Sequence, residues 1–156
     1  MEACCVGNGQ VDQLTIQNLV GALNCMHDQQ IILGGGENVS ETIVRRLTPE
    51  ECEILQGYQV GWTNIGDWTD SSGKKRKTSD SSRYRALGNS ICLPYWQWLA
   101  RRICAQYERP VTLGSLFDGI GGFPEVFRRC GAFPVWASEI EEFCIAVTKK
   151  HFPEDE

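Results

Sequence analysis

The run Leu113-Gly114-Ser115-Leu116-Phe117-Asp118-Gly119-Ile120-Gly121-Gly122-Phe123 constrains this chain more than any other segment. An apolar stretch that stops in closely spaced glycines and resumes as a helix predicts a strand handing a nucleotide-like ligand to a helix N-terminus. Gly119, Gly121 and Gly122 remove side chains where the backbone must turn tightly and approach a ligand. Glu139 follows at the end of a second apolar run, placed to accept hydrogen bonds from ribose hydroxyls. The pattern predicts a strand over 111–117, a helix near 124–130 stopped by Gly131, a strand over 133–138, and a helix over 140–151 closed by Pro153. Strand-helix-strand-helix is the opening half of a doubly wound, Rossmann-like α/β sheet. Two parallel strands expect further strands beside them, so the sheet is expected to be incomplete.

Upstream, Thr48 reads as an N-cap, Pro49 suits the first helical position, Glu51 completes a capping box and Gly57 ends the helix. Residues 59–83 read as a long polar loop holding Trp62, Trp68 and the run Lys74-Lys75-Arg76-Lys77. Residues 90–107 read as a helix with Pro94 early and apolar positions at Ile91, Trp98, Leu99, Ile103 and Ala105. Its aromatics Tyr95, Trp96 and Trp98, with Tyr107, are expected in the core. Residues 1–40 are polar and Gly-rich, with a strand candidate at 31–33. Three segments result: 1–42 as a poorly ordered or recognition region, 43–109, and 110–156.

The net charge of −5 argues against a protein that coats nucleic acid along its whole surface. Its distribution is uneven: residues 1–73 carry 2 positive and 10 negative side chains, residues 74–109 carry 9 and 2, and residues 110–156 carry 4 and 8. The basic middle block, with Lys74, Lys75, Arg76, Lys77, Arg83, Arg85, Arg101 and Arg102, is a candidate for phosphate contact, although a solvated surface reads the same way. None of the 8 cysteines forms Cys-x-x-Cys, and His27 and His151 sit in no ligand spacing, so no metal site is expected. Cys92, Cys104, Cys130 and Cys144 fall among apolar neighbours and are expected to act as small hydrophobes. With no signal peptide and no membrane-length apolar run, the expectation is a soluble protein of a reducing cytoplasm.

Phe117-Asp118-Gly119-Ile120-Gly121-Gly122 resembles the first motif of the cytosine-5 DNA methyltransferases of phage and bacterial type, and Trp136-Ala137-Ser138-Glu139-Ile140 their second. Arg45-Arg46-Leu47-Thr48-Pro49-Glu50-Glu51-Cys52, with Leu55-Gln56-Gly57-Tyr58, resembles the ninth motif. Tyr84-Arg85-Ala86-Leu87-Gly88-Asn89-Ser90-Ile91, with Pro94, resembles the tenth. The order is rearranged, since the family's closing motifs come before its opening ones. Circular permutation of this kind is tolerated where chain termini lie close together.

The resemblance implies S-adenosylmethionine as cofactor and DNA as substrate, as in restriction-modification. Phe117 would pack on the cofactor, the backbone of Asp118, Gly119, Ile120, Gly121 and Gly122 would line its methionine portion, Glu139 would bind the ribose and Ile140 would cover the adenine. Asn89 and Ser90 would lie near the methionine carboxylate, Arg45 and Arg46 would support target recognition, and Lys74, Lys75, Arg76 and Lys77 would contact DNA. In the implied reaction the target base is flipped out of the duplex and attacked by a thiolate before methyl transfer. The family's nucleophile is a cysteine directly after proline, and no proline here precedes a cysteine. Glu37-Asn38-Val39 mimics another family triplet but sits in a Gly-rich segment before the ninth motif, and no eighth motif is present. The implied protein is therefore part of a split or permuted enzyme, inactive alone and completed by a chain carrying the missing motifs. A regulatory module that binds cofactor or a partner without chemistry, and a vestigial gene product, are the alternatives.

Overall fold

The computed structural model describes residues 2–6, 16–17, 30–34 and 43–153, with side chains from Arg45 onward. The chain divides into two compact units, Met1–Thr48 and Pro49–Glu156. In the first, β1 (Glu2–Val6), β2 (Ile16–Gln17), β3 (Gln30–Gly34) and β4 (Ile43–Arg46) form an antiparallel sheet in the order β2-β1-β3-β4. The strand expected at 31–33 lies within β3, and Arg45 and Arg46 lie in β4. Glu37-Asn38-Val39 and His27 lie outside the described residues.

The second unit carries α1 (Pro49–Gln56), β5 (Asp67–Thr69), β6 (Lys75–Lys77), α2 (Asp80–Gly88), α3 (Leu93–Cys104), β7 (Thr112–Leu116), α4 (Gly122–Arg128), β8 (Phe133–Ser138) and α5 (Glu142–His151). The strands β7 and β8 pair in parallel, with Thr112 opposite Phe133 and Leu116 opposite Ser138. Helix α4 lies in the crossover and α3 packs on α4, so the strand-helix-strand-helix expectation holds. Among the described residues this sheet has two strands.

The polar loop expected over 59–83 is not one. It holds the antiparallel hairpin β5–β6, and α2 begins within it at Asp80. The hairpin forms because Asp70 closes its turn, accepting from the backbone N–H of Ser72 and Lys74, the Ser72 hydroxyl and Arg76 Nε. Those bonds, the Ser72 hydroxyl first, hold the Asp70 carboxyl far below the ordinary carboxylate range. Trp68 then packs edge-on against Phe143 of α5. Helix α2 starts with a capping box in which Ser79 and Ser82 exchange hydrogen bonds.

The core face of α3 also differs from expectation. Leu93 and Ala100 are fully buried, and Trp96 meets Phe123 at 4.9 Å, whereas Tyr95, Trp98 and Tyr107 are exposed. Leu93 and Ala100 thus belong to the buried face of α3, and the bulky Tyr95 and Trp98 lie off it. Tyr95 and Trp98 stack on each other there, and the Arg102 guanidinium lies 3.6 Å above the Trp98 ring. Cys144 and Cys52 are buried, but Cys92 precedes α3 and is exposed. The described residues include no cluster suited to a metal ion and no helix long and apolar enough to cross a membrane.

Arg83 is not available to phosphates, because it is buried in an ion network. Glu53 is 0% exposed, and its Oε1 accepts from Arg83 Nη2 at 3.1 Å, Thr63 N at 2.8 Å and Thr63 Oγ1. Its Oε2 accepts from Gly61 N, and Arg83 Nη1 also reaches Glu50 at 2.7 Å. Arg85, by contrast, makes a surface pair with Glu141 at 3.2 Å.

Removing the cation from the buried pair strands a charge, whereas the exposed pair is screened by water. Arg83→Met is expected to cost about 3–5 kcal/mol in urea unfolding, and Arg85→Met under about 1 kcal/mol. Equal losses for the two variants would refute the assignment.

Candidate functional site

The site is built where β7 ends. Phe117 takes a left-handed backbone conformation, with φ 55°, which is uncommon for a residue with a side chain. Its ring is 85% exposed. Gly119 and Gly121 follow at φ +58° and +80°, where glycine avoids the strain any side chain would add. At Gly122 a Cβ atom would stand 2.6 Å from the Tyr58 hydroxyl and 2.8 Å from Ile91 Cγ1. Glycine here allows the segments resembling the ninth and tenth motifs to touch the turn. On the other side, a Cβ at Gly119 would meet nothing within 4 Å, so that face of the turn is open.

The turn is largely saturated by its own surroundings. Asp118 N donates to Ser138 O at 3.0 Å and Gly121 N to Asp118 O at 3.2 Å. Trp62 Nε1 donates to Ile120 O at 2.8 Å, and Thr148 Oγ1 to Gly119 O at 3.2 Å. Gly119 N donates to Glu139 Oε2 at 2.7 Å. Three backbone N–H groups expected to face a ligand are therefore already engaged. Helix α4, at 7 residues, adds little macrodipole.

Glu139 sits at the end of β8, one residue beyond Ser138. Its Oε1 accepts from Ile140 N at 2.6 Å and Glu141 N at 2.9 Å. Burial pushes its pKa up, but the three backbone donors outweigh that and hold it below the ordinary value. An ionised carboxylate offers about four acceptor positions. With two bonds at Oε1 and one at Oε2, an acceptor position on Oε2 remains for a ligand hydroxyl. Ile140, beside it, is 89% exposed.

Asp118 is the second acid of the site, and it is 4% exposed. Its Oδ1 accepts from the Ser115 hydroxyl at 2.5 Å, while its buried Oδ2 has no hydrogen-bond partner. Burial first, then the nearby Glu139 charge, raises its pKa, against the lowering effect of Ser115. A cleft of about 810 Å³ is lined by both acids together with Trp136, Ile145, Thr148 and Phe152. Phe117 and Ile140 are not part of its wall.

The other expected site residues are distributed unevenly. Ser90 is tied to the turn through Tyr58, whose hydroxyl lies 2.5 Å from Ser90 Oγ, whereas Asn89 is the exposed C-cap of α2. Lys74, Lys75 and Lys77 are exposed on the hairpin, and Arg76 is committed to Asp70. Sequence reasoning gave no role to Trp62, Tyr58, Thr148 or His151, all of which brace the turn. A large aromatic in an otherwise polar segment was the available signal for Trp62.

No protein-family model matches the chain. A stretch of it is 35% identical, over 96 residues of alignment, to a DNA N-6-adenine-methyltransferase of Escherichia phage P1. The similarity takes in 47% of this chain and 13% of the phage protein. The phage protein is thus named for methylation of DNA, the broad class that the motifs also imply. The base differs, since the relative's name gives N6 of adenine where the motifs imply carbon 5 of cytosine.

The raised Asp118 pKa sets a pH signature. Above about pH 4 the unfolded carboxyl ionises while the buried one resists, so native stability falls until pH passes the raised value. Asp118→Asn removes that loss. Its melting temperature relative to wild type is expected to rise from pH 4 upward and then level off, and a pH-independent difference would show that the carboxyl is not strained by burial.

Proposed function

We propose that this chain provides the S-adenosylmethionine-binding part of a DNA methyltransferase acting on carbon 5 of cytosine, completed by a second polypeptide. The observation that carries the cofactor reading is the Glu139 carboxylate. It is ionised, pinned by three backbone donors, and has acceptor capacity left beside the exposed side chain of Ile140. In this reading Glu139 holds the ribose, while Phe117 and Ile140 shield the cofactor's apolar faces. The unpartnered Oδ2 of Asp118 faces the methionine portion as an acceptor for its ammonium, with Ser90 and Asn89 near its carboxylate. The cofactor, when bound, supplies an activated methyl group.

The choice of cytosine rests on the four motif resemblances, which lie in this chain. An adenine-directed enzyme is the second reading, supported by the name of the phage relative. Attack on cytosine needs a thiolate, and this chain's buried cysteines are poor sources. Burial pushes the Cys52 thiol up to about 11 and the Cys144 thiol up to about 12. Because no proline here precedes a cysteine, the nucleophile is assigned to the partner chain. The free edge and apolar exposure of β8, at Val135 and Trp136, support that partner supplying further strands. DNA contact is assigned to the exposed Lys74, Lys75 and Lys77.

Calorimetric titration of S-adenosylmethionine is expected to show saturable binding that Glu139→Ala weakens at least about tenfold, as loss of a charged acceptor should. No binding by the folded chain would sink the cofactor reading. Co-expression with a chain carrying a Pro-Cys loop is expected to place labelled methyl groups on carbon 5 of cytosine. Label on N6 of adenine would establish the second reading, and no label would leave a non-catalytic module.

Replacing Lys74, Lys75 and Lys77 by Glu in the assembled enzyme is expected to reduce the slope of log affinity for DNA against log salt by about 3, near 0.9 per lost phosphate contact. An unchanged slope would place the DNA elsewhere.

A further inference from the structure

We infer that Trp62 is a positioning residue for the glycine turn, its indole N–H fixing the Ile120 carbonyl and with it the open, ligand-facing side of the turn. The inference rests on the cofactor reading above. Trp62 lies 58 residues before Ile120 in sequence, and its Nε1 donates to Ile120 O at 2.8 Å. The indole is 2% exposed and lies flat on the His151 ring, with centroids 3.6 Å apart and planes 2° from parallel. His151 Nε2 donates to Trp62 O at 2.8 Å, so the C-terminal end of α5 holds both ring and backbone. On the other side, Gly61 N and Thr63 N are fastened to the buried Glu53 carboxylate. The donor is thus fixed from both flanks and aimed at one carbonyl.

That carbonyl belongs to the tightest part of the turn. Ile120 is fully buried and lies between Gly119 and Gly121, both at positive φ, with Phe117 also at positive φ upstream. A buried carbonyl without a donor is costly, and the turn would rotate to find one. The Ile120 carbonyl shares its peptide plane with the Gly121 N–H, which donates to Asp118 O at 3.2 Å, so rotation there breaks that bond and loosens the Asp118–Gly119 peptide whose N–H holds Glu139 Oε2. Filling the space under the turn needs only an apolar ring. Holding the Ile120 carbonyl needs the N–H.

The test separates these two demands. Trp62 is replaced by 3-benzothienylalanine, which keeps the ring shape and exchanges N–H for sulfur, and separately by Phe (Trp62→Phe). Melting temperature, S-adenosylmethionine affinity by calorimetry, and amide hydrogen exchange at Gly119 and Gly121 are measured. The expected result for the isostere is a nearly unchanged melting temperature, cofactor affinity about three- to tenfold weaker, as for loss of one hydrogen bond, and faster exchange at both glycines. Unchanged affinity and exchange would overturn the inference. So would a loss of affinity that only follows a loss of stability, which would make Trp62 structural. If wild type binds no cofactor, the cofactor reading fails separately, and exchange decides: faster exchange in the isostere upholds positioning of the turn, and unchanged exchange refutes it. Should Trp62→Phe fail to fold, the isostere alone carries the comparison.

Discussion

A carboxylate with no access to water, that of Glu53, organises much of the second unit. An anion in that position is tolerable only if donors surround it, and Arg83, Thr63 and Gly61 are drawn in from α2 and the loop after α1. Gathering them sets the path of residues 61–63 and thereby the place of Trp62. Trp62 in turn meets Ile120 and His151, which belong to the glycine turn and to α5. Electrostatic necessity at one side chain is thus converted into the shape of a loop tens of residues away.

The turn itself spends most of its hydrogen-bonding capacity on its own scaffold. What it presents outward is sparse: one acceptor position on Glu139 and two exposed apolar side chains, Phe117 and Ile140, with the unpartnered oxygen of Asp118 buried behind them. Such an arrangement is preorganised, because few of its groups must leave one partner to take another. The Phe117 backbone and the buried Asp118 carboxyl each carry a cost in stability, and costs of that kind concentrate at sites that bind.

The parallel strands and their glycine turn were legible because their signals are local. Strand β8 was expected at 133–138 and spans Phe133–Ser138, and β7 is shorter by one residue at each end than expected. Helix α5 starts at Glu142 rather than 140, with Glu141 as an extended N-cap and the Glu139 carboxylate accepting from the N–H groups of Ile140 and Glu141 before it. The hairpin was hidden because strands of three residues, one of them Lys75–Lys77, carry no hydrophobic alternation. The face of α3 differs from expectation because bulk was weighed above position: Ala100 is fully buried while Tyr95 and Trp98 are exposed. Trp62 stood out as an aromatic in a polar segment, but its role did not, because its partner is a main-chain carbonyl, which leaves no mark in a sequence.

Strand β8 has a further consequence for how long this protein stays single in solution. Its outer edge is unpaired among the described residues, and Phe133, Val135 and Trp136 are exposed along it. An apolar edge is a template for any extended chain, including another copy. Loss through such pairing depends on encounters and so grows with the square of concentration, whereas completion of the sheet by a true partner competes in first order once that partner is in excess. In the two-chain enzyme proposed above, the timing of the partner's arrival, more than the stability of either piece, would then govern how much of this chain reaches a finished sheet.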